Sequence, residues 1–126
     1  MTIRYKTEKK RNGINDKESY YARRIGGEIV STREIAERLA DRSTLSQADI
    51  RATLIGLSEL IETYLHEGRA VKLEDIGVFS LSITSEGYAS PEECTPHRVK
   101  AKRICFRADP QLKKNLKKVK FERVKK

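Results

Sequence analysis

Between residues 97 and 126 the chain carries thirteen basic and two acidic side chains. Within that stretch Arg98, Lys100 and Lys102 recur at every second position, followed by Arg103, Arg107 and Lys113. A strand sends alternate side chains to one side, so this spacing makes a row of ammonium and guanidinium groups. Such a row suits the closely spaced phosphates of a polyanion, whose counterions are released on contact. Which of Lys102 and Arg103 joins the row depends on strand register, which spacing alone leaves open. The rest of the chain is different: residues 1–12 hold five basic and one acidic side chain, and residues 13–96 hold nine basic against fifteen acidic. The formal net charge of +9 therefore conceals an acidic middle. Nucleic acid is the leading partner, with Arg98, Lys100, Lys102, Arg103, Arg107 and Lys113 as its expected contacts.

Other chemistry is sparse. Cys94, His97 and Cys105 are three zinc donors where a closed site needs four, and the cysteines form no C-x-x-C pair. No metal, cofactor or small-molecule substrate is expected. The sequence has no Gly-rich phosphate loop, G-x-S-x-G elbow or H-E-x-x-H, so it does not read as an enzyme. His66 falls near a helix end, where an imidazole suits the last turn. Tyr20 and Tyr21 have the chemistry to stack on bases, but lacking a wider aromatic array they read as paired strand aromatics.

The elements that position these residues follow from periodicity. Ser31 stands three residues before Glu34, a capping-box spacing, and Ala36, Ile35, Leu39 and Ala40 form one apolar stripe, which predicts a helix over 31–42. Ser46 and Asp49 repeat the capping spacing before a longer helix. Its apolar residues Ile50, Leu54, Leu57, Ile61 and Tyr64 or Leu65 form one stripe, with Ala52, Ile55 and Leu60 on a second flank. Two apolar flanks imply one contact within the protomer and another with a second chain. Gly68 ends this helix. The period then becomes two: Val71 and Leu73, then Phe79, Leu81 and Ile83, predict a hairpin that turns at 75–77. Residues 84–97, with Gly87, Pro91 and Pro96, read as a projecting loop, and Arg98–Phe106 as a third strand. A final short helix is expected over 111–118, with ESYYARRI and VKFERV as short strands.

At 126 residues the chain makes one small domain, and its 37% apolar content argues for an oligomer. It has no apolar run of membrane-spanning length, and MTIRYKTEKK does not look like a secretory leader, so a soluble, cytoplasmic protein with reduced thiols is expected.

The order helix, longer helix, hairpin, projecting segment, basic strand and short helix resembles the bacterial histone-like HU/IHF family. Gly68, Val71, Leu73, Ile76, Gly77 and Phe79 fall at the offsets of that family's G-x-x-V-x-L-x-G-F-G-x-F-like run, with Asp75 in place of the first turn glycine. Leu45-Ser46 resembles the family's Leu-Ser before its second helix. Phe106, Arg107, Ala108, Leu112 and Lys113 resemble its F-[KR]-A-x-x-x-L-K run, with Asp109-Pro110 replacing Gly-Lys. The resemblance covers residues 31–118; residues 1–30 look like an extension with short strands and 119–126 like a basic strand or tail, as in an extended, divergent branch.

The resemblance implies an α+β fold in which two N-terminal helices precede a β-hairpin with its arm and a short C-terminal helix. It implies an intertwined homodimer whose arms follow the minor groove of double-stranded DNA, bending or compacting it in the nucleoid with little sequence preference. Leu54, Leu57, Ile61, Tyr64 and Phe79 would form the dimer interface. A proline at the arm tip wedges between base pairs in this family, which marks Pro91. Here, however, Glu92 and Glu93 follow Pro91 where the family has basic and small residues, and a turn proline is the plainer reading. Charge alone also permits an RNA-binding or ribosome-associated protein, or a module for acidic proteins or anionic membranes.

Overall fold

The computed structural model describes residues 2–11, 13 and 17–124. The chain divides into two compact units, Met1–Val30 with Asn115–Lys126, and Ser31–Lys114. The described elements are β1 (Thr2–Arg11), β2 (Glu18–Arg24), α1 (Thr32–Asp41), α2 (Gln47–His66), β3 (Val71–Leu73), β4 (Gly77–Thr84), β5 (Lys100–Ala108), α3 (Pro110–Lys113) and β6 (Lys120–Arg123). The expected fold with helices at the N-terminus is therefore corrected. Strands come first, and the described residues hold six strands in two sheets and three α-helices. The physical reason lies in β1, whose Ile3 and Tyr5 alternate with charged residues and find their ladder partners both nearby and at the far end of the chain.

In the first unit the strand order is β2-β1-β6. The β1–β2 pair is antiparallel, with Tyr5 opposite Arg24, Glu8 opposite Tyr21 and Arg11 opposite Glu18. The β1–β6 pair is parallel, with Ile3 beside Phe121 and Tyr5 beside Arg123. Paired residues share a side of the sheet, so Ile3, Tyr5, Tyr20, Ala22, Arg24, Phe121 and Arg123 lie on one face. Arg4, Lys6, Glu8, Tyr21 and Arg23 lie on the other. There the Arg23 guanidinium donates to Glu8 Oε1 at 2.7 Å, and Lys6 Nζ lies 3.8 Å from the same oxygen. The short strands expected around ESYYARRI and VKFERV correspond to β2 and β6. Lys125 and Lys126, the last of the expected basic tail, lie outside the described residues.

The second unit begins with two capped helices. Ser31 Oγ accepts from the Glu34 N–H at 3.3 Å. At α2 the box is reciprocal: Ser46 Oγ accepts from the Asp49 N–H at 3.1 Å, and Asp49 Oδ2 accepts from the Ser46 N–H at 3.5 Å. The helix stops where Gly68 takes φ 80°, a left-handed conformation that glycine adopts without steric cost. Its N–H donates to Leu65 O and that of Arg69 to Tyr64 O, both at 3.0 Å, so the last carbonyls are satisfied. α1 packs on α2, and α2 lies against β3 and β4. Only Ala36, Ile50 and Leu65 are fully buried apolar residues among those described.

The β3–β4 turn depends on two residues. Asp75 takes φ 65°, one of the few non-glycine types that tolerate this region. Gly77 is required by proximity, because a Cβ there would collide with the Arg107 carbonyl and come within 2.7 Å of the Phe106 ring. Two expected boundaries shift. β5 begins at Lys100, because Pro96–Arg98 forms a 3₁₀ turn. The helix expected over 111–118 is only one turn, Pro110–Lys113, followed by a 3₁₀ turn at Leu116–Lys118. Asp109 explains its start: the carboxylate accepts from the Gln111 N–H at 3.0 Å, Pro110 occupies the first helical position, and the Asp109 N–H donates to Ile76 O at 2.9 Å. No described helix is long and apolar enough to cross a membrane.

Replacing Ser46 by Ala should cost about 1 kcal/mol, the usual loss of an N-cap oxygen, read from urea unfolding. In the first unit, the hydrogen bond from Arg23 holds the Glu8 carboxyl below its ordinary value, helped by the positive charges of Arg23, Lys6 and Lys10 and opposed by partial desolvation. The stabilisation is therefore present above the ordinary glutamate range and fades as pH falls through the lowered folded value. An NMR pH titration should find Glu8 titrating low in the native chain and returning towards the ordinary range in Arg23→Ala.

Candidate nucleic-acid interface

The expected contacts converge on β5, and its ladder with β4 decides how they are presented. Val78 pairs with Arg107, Phe79 with Phe106, Leu81 with Ile104 and Ser82 with Arg103; then the register shifts, so that Ile83 pairs with Ala101 and Thr84 with Lys100. Lys102 is the extra residue of a β-bulge. In an unbroken strand Lys100 would lie on the opposite side from Arg103 and Arg107. The bulge inverts the phase, so Lys100, Arg103 and Arg107 share one side with Val78, Ser80, Ser82, Thr84 and Cys105. The other side is apolar: Phe79, Leu81, Ile83, Ala101, Ile104 and Phe106, with the rings of Phe79 and Phe106 4.9 Å apart.

The remaining expected contacts flank this row. Lys113 is exposed in the last turn of α3. Arg98 is not on the strand. Its guanidinium donates to the Glu93 carbonyl at 2.9 Å and lies 5.1 Å from the centre of the Tyr88 ring, so it staples the loop between β4 and β5. Pro91 opens a 3₁₀ turn, Pro91–Glu93, at the far end of that loop. The Arg98 and Val99 N–H groups donate to Thr95 O and Pro96 O within the second of the loop's two turns, so they do not extend the ladder beyond Lys100. Cys94 is exposed and Cys105 half-buried on β5; among the described residues no group of His, Cys, Asp or Glu is arranged to hold a metal ion.

The expected interface residues Leu54, Leu57 and Ile61 are half-buried on α2, Tyr64 lies at the edge of exposure, and Phe79 is half-buried on β4. Beside them Ile83, Ile104 and Phe106 are 68%, 63% and 51% exposed. The sequence pattern did not single out Tyr5 and Phe121. They meet in the first unit, edge to face with centroids 6.5 Å apart; the only sequence signal was the Ile3–Tyr5 alternation. The two units also differ in charge. Residues 31–114 hold thirteen basic and thirteen acidic side chains, whereas 1–30 with 115–126 hold fourteen and five, so the whole net charge of +9 belongs to the first unit.

This arrangement belongs to a known class of protein. A family model described as HU-HIG, an HU domain fused to a wHTH, Ig or glycine-rich motif, matches residues 1–123. The chain belongs to this HU-like family, and the match includes β1, β2 and β6 as well as the part that resembles HU/IHF. A crystal structure from Bacteroides vulgatus ATCC 8482, named as a candidate bacterial DNA-binding protein, shares the fold with a TM-score of 0.67 at 8% identity. The alignment covers 98% of this chain and 48% of that one, so this chain spans about half of its length. No curated protein matches the sequence.

If Arg98 staples the loop, Arg98→Ala should be cleaved faster by a glutamate-specific protease at Glu92 and Glu93, while its global unfolding midpoint stays within ~0.5 kcal/mol of the native chain. Unchanged cleavage would mean that the turns hold without the staple.

Proposed function

We propose that the chain is a non-enzymatic, architectural DNA-binding protein that acts as a homodimer on duplex DNA. The observation that carries this reading is the two-sided β4–β5 hairpin. One side offers Lys100, Arg103 and Arg107 to phosphates; the other holds an apolar surface too large for one small protomer to leave in water. Membership of an HU-like family and the candidate role of the Bacteroides protein support it.

In this reading, Leu54, Leu57, Ile61, Tyr64 and Phe79 pack against the same residues of a second copy, and covering Ile83, Ile104 and Phe106 adds to the driving force. Lys100, Arg103 and Arg107 then line the DNA side, with Lys102, Lys113 and Arg98 at its margins. These contacts are electrostatic, so they favour DNA that bends towards them over any particular sequence, as suits a protein of the nucleoid. Pro91 does not act as a wedge. Unstacking a base step costs a few kcal/mol and needs cations nearby to hold the wedge in the minor groove. This loop carries Glu86, Glu92 and Glu93, and its one guanidinium, on Arg98, is bound to the loop itself.

The test is a mobility-shift series on straight, nicked and four-way-junction DNA across salt, with structured RNA as competitor. Preference for predeformed duplex is expected. In the Lys100→Ala, Arg103→Ala, Arg107→Ala triple variant, the slope of log affinity against log salt should fall by about one unit for each phosphate no longer neutralised. Equal slopes would refute the assignment, and effective competition by RNA would favour an RNA-binding protein. Leu57→Asp should abolish the dimer seen by light scattering and unfold the chain, because it buries an unpaired charge. Pro91→Ala should change affinity by less than about twofold.

A further inference from the structure

The net charge of the chain and its most exposed aromatic rings coincide in the small β2-β1-β6 sheet, in a different unit from the residues assigned to duplex DNA. On one face of that sheet Tyr5 and Phe121 meet edge to face, and with Ile3, Ala22 and Arg24 they line an open hollow of about 490 Å³. Tyr20 stands on the same face, four residues along β2 from Arg24, or roughly 13 Å. The rings of Tyr20 and Phe121 are left in water, at 68% and 64% exposure. Arg24 and Arg123 are on this face as well, neither of them ion-paired among the described residues.

We infer that this face is a second binding site, for single-stranded nucleic acid, in which Phe121 and Tyr20 stack on unpaired bases and Arg24 and Arg123 take the phosphates between them. Exposed rings interleaved with cations on a sheet make a stacking platform of this kind. A hollow of this volume accepts a base-sized planar group beside Phe121. The open strand is preferred over duplex because a ring can stack only on a base face that is not already stacked on its neighbours. A second copy of the chain fits less well. A two-fold pairing would bring the face against itself, setting Arg24 and Arg123 against like charges in a unit that already carries the whole net charge of +9. The site is independent of the duplex-binding reading, since it uses none of the same residues.

The experiment measures anisotropy of labelled twelve-nucleotide oligo(dT) and oligo(rU), and of a duplex of equal length, with the full chain. The sequence has five tyrosines and no tryptophan, so stacking should also quench tyrosine emission directly. Tyr20→Ala and Phe121→Leu are each expected to weaken oligonucleotide binding at least about fivefold, the low end for one base stack, with duplex binding within about twofold. The Lys100→Ala, Arg103→Ala, Arg107→Ala variant should do the reverse. Equal binding of both oligonucleotides fits recognition of bases and phosphates alone, and tighter oligo(rU) binding identifies RNA as the source. The inference is overturned if both ring variants bind oligonucleotides like the native chain, if they lose duplex in parallel, or if native chains self-associate and Tyr20→Ala disperses them. Should Phe121→Leu fail to fold by circular dichroism, Tyr20→Ala decides alone, because its ring is exposed.

Discussion

A single extra residue, Lys102, governs how the β4–β5 hairpin divides its surface. Because side chains alternate strictly along a strand, the cations at 100 and at 103 and 107 would face opposite ways without the bulge. With it, the cations gather on one side with Val78 and the hydroxyl residues, and the aromatic rings, leucine and isoleucines on the other. The same shift keeps Ala101 with Ile83 on the apolar side, so the separation already set between Gly77 and Ser82 continues to the end of the ladder. The cationic row proposed to meet DNA, and the hairpin's share of the proposed dimer surface, follow from that division.

The energetics of the unit are otherwise thin. The buried apolar side chains among its described residues are Ala36, Ile50 and Leu65, while α2 and the hairpin leave large apolar side chains in water. Local devices hold the framework: the reciprocal cap at Ser46, the left-handed Gly68 and Asp75, the close approach of Phe106 over Gly77, and the Asp109 cap that is itself bonded to the turn at Ile76. Such features position a chain more than they stabilise it. The apolar surface left exposed beside so small a core is what the proposed dimer would cover.

The two ends of the chain make a different kind of object. β1 supplies the central strand of a sheet whose edges come from its immediate neighbour in sequence and from the last strand. This unit takes the whole net charge and leaves the helical unit neutral, a partition hidden in the linear profile, where the acidic middle and the basic end stand out instead. Grouped in space, the basic end splits: its first part belongs to the neutral unit, where it forms a local cationic face, and its last part joins the basic sheet.

How much of this was legible depended on the range of each interaction. The helices, with their caps at Ser31 and Ser46, the stop at Gly68 and the alternation of β3 and β4, were readable because their signals lie within a few residues of one another. The resemblance to HU/IHF rested on the same local spacings, and the family match bears it out. β1 was not readable, since Lys6, Glu8, Lys9, Lys10 and Arg11 mask its apolar positions and one of its ladder partners is the last strand. Nor could spacing reveal the bulge at Lys102, the meeting of Tyr5 with Phe121, or the capture of Arg98 by Glu93 and Tyr88. The amino-acid sequence by itself determined which segments are helical, where they are capped, and that cations accumulate beyond residue 97. Only the tertiary structure decided which cations share a face, which strands come first and where the charge resides, because register and strand order are set by pairing between distant segments, and no local pattern encodes that.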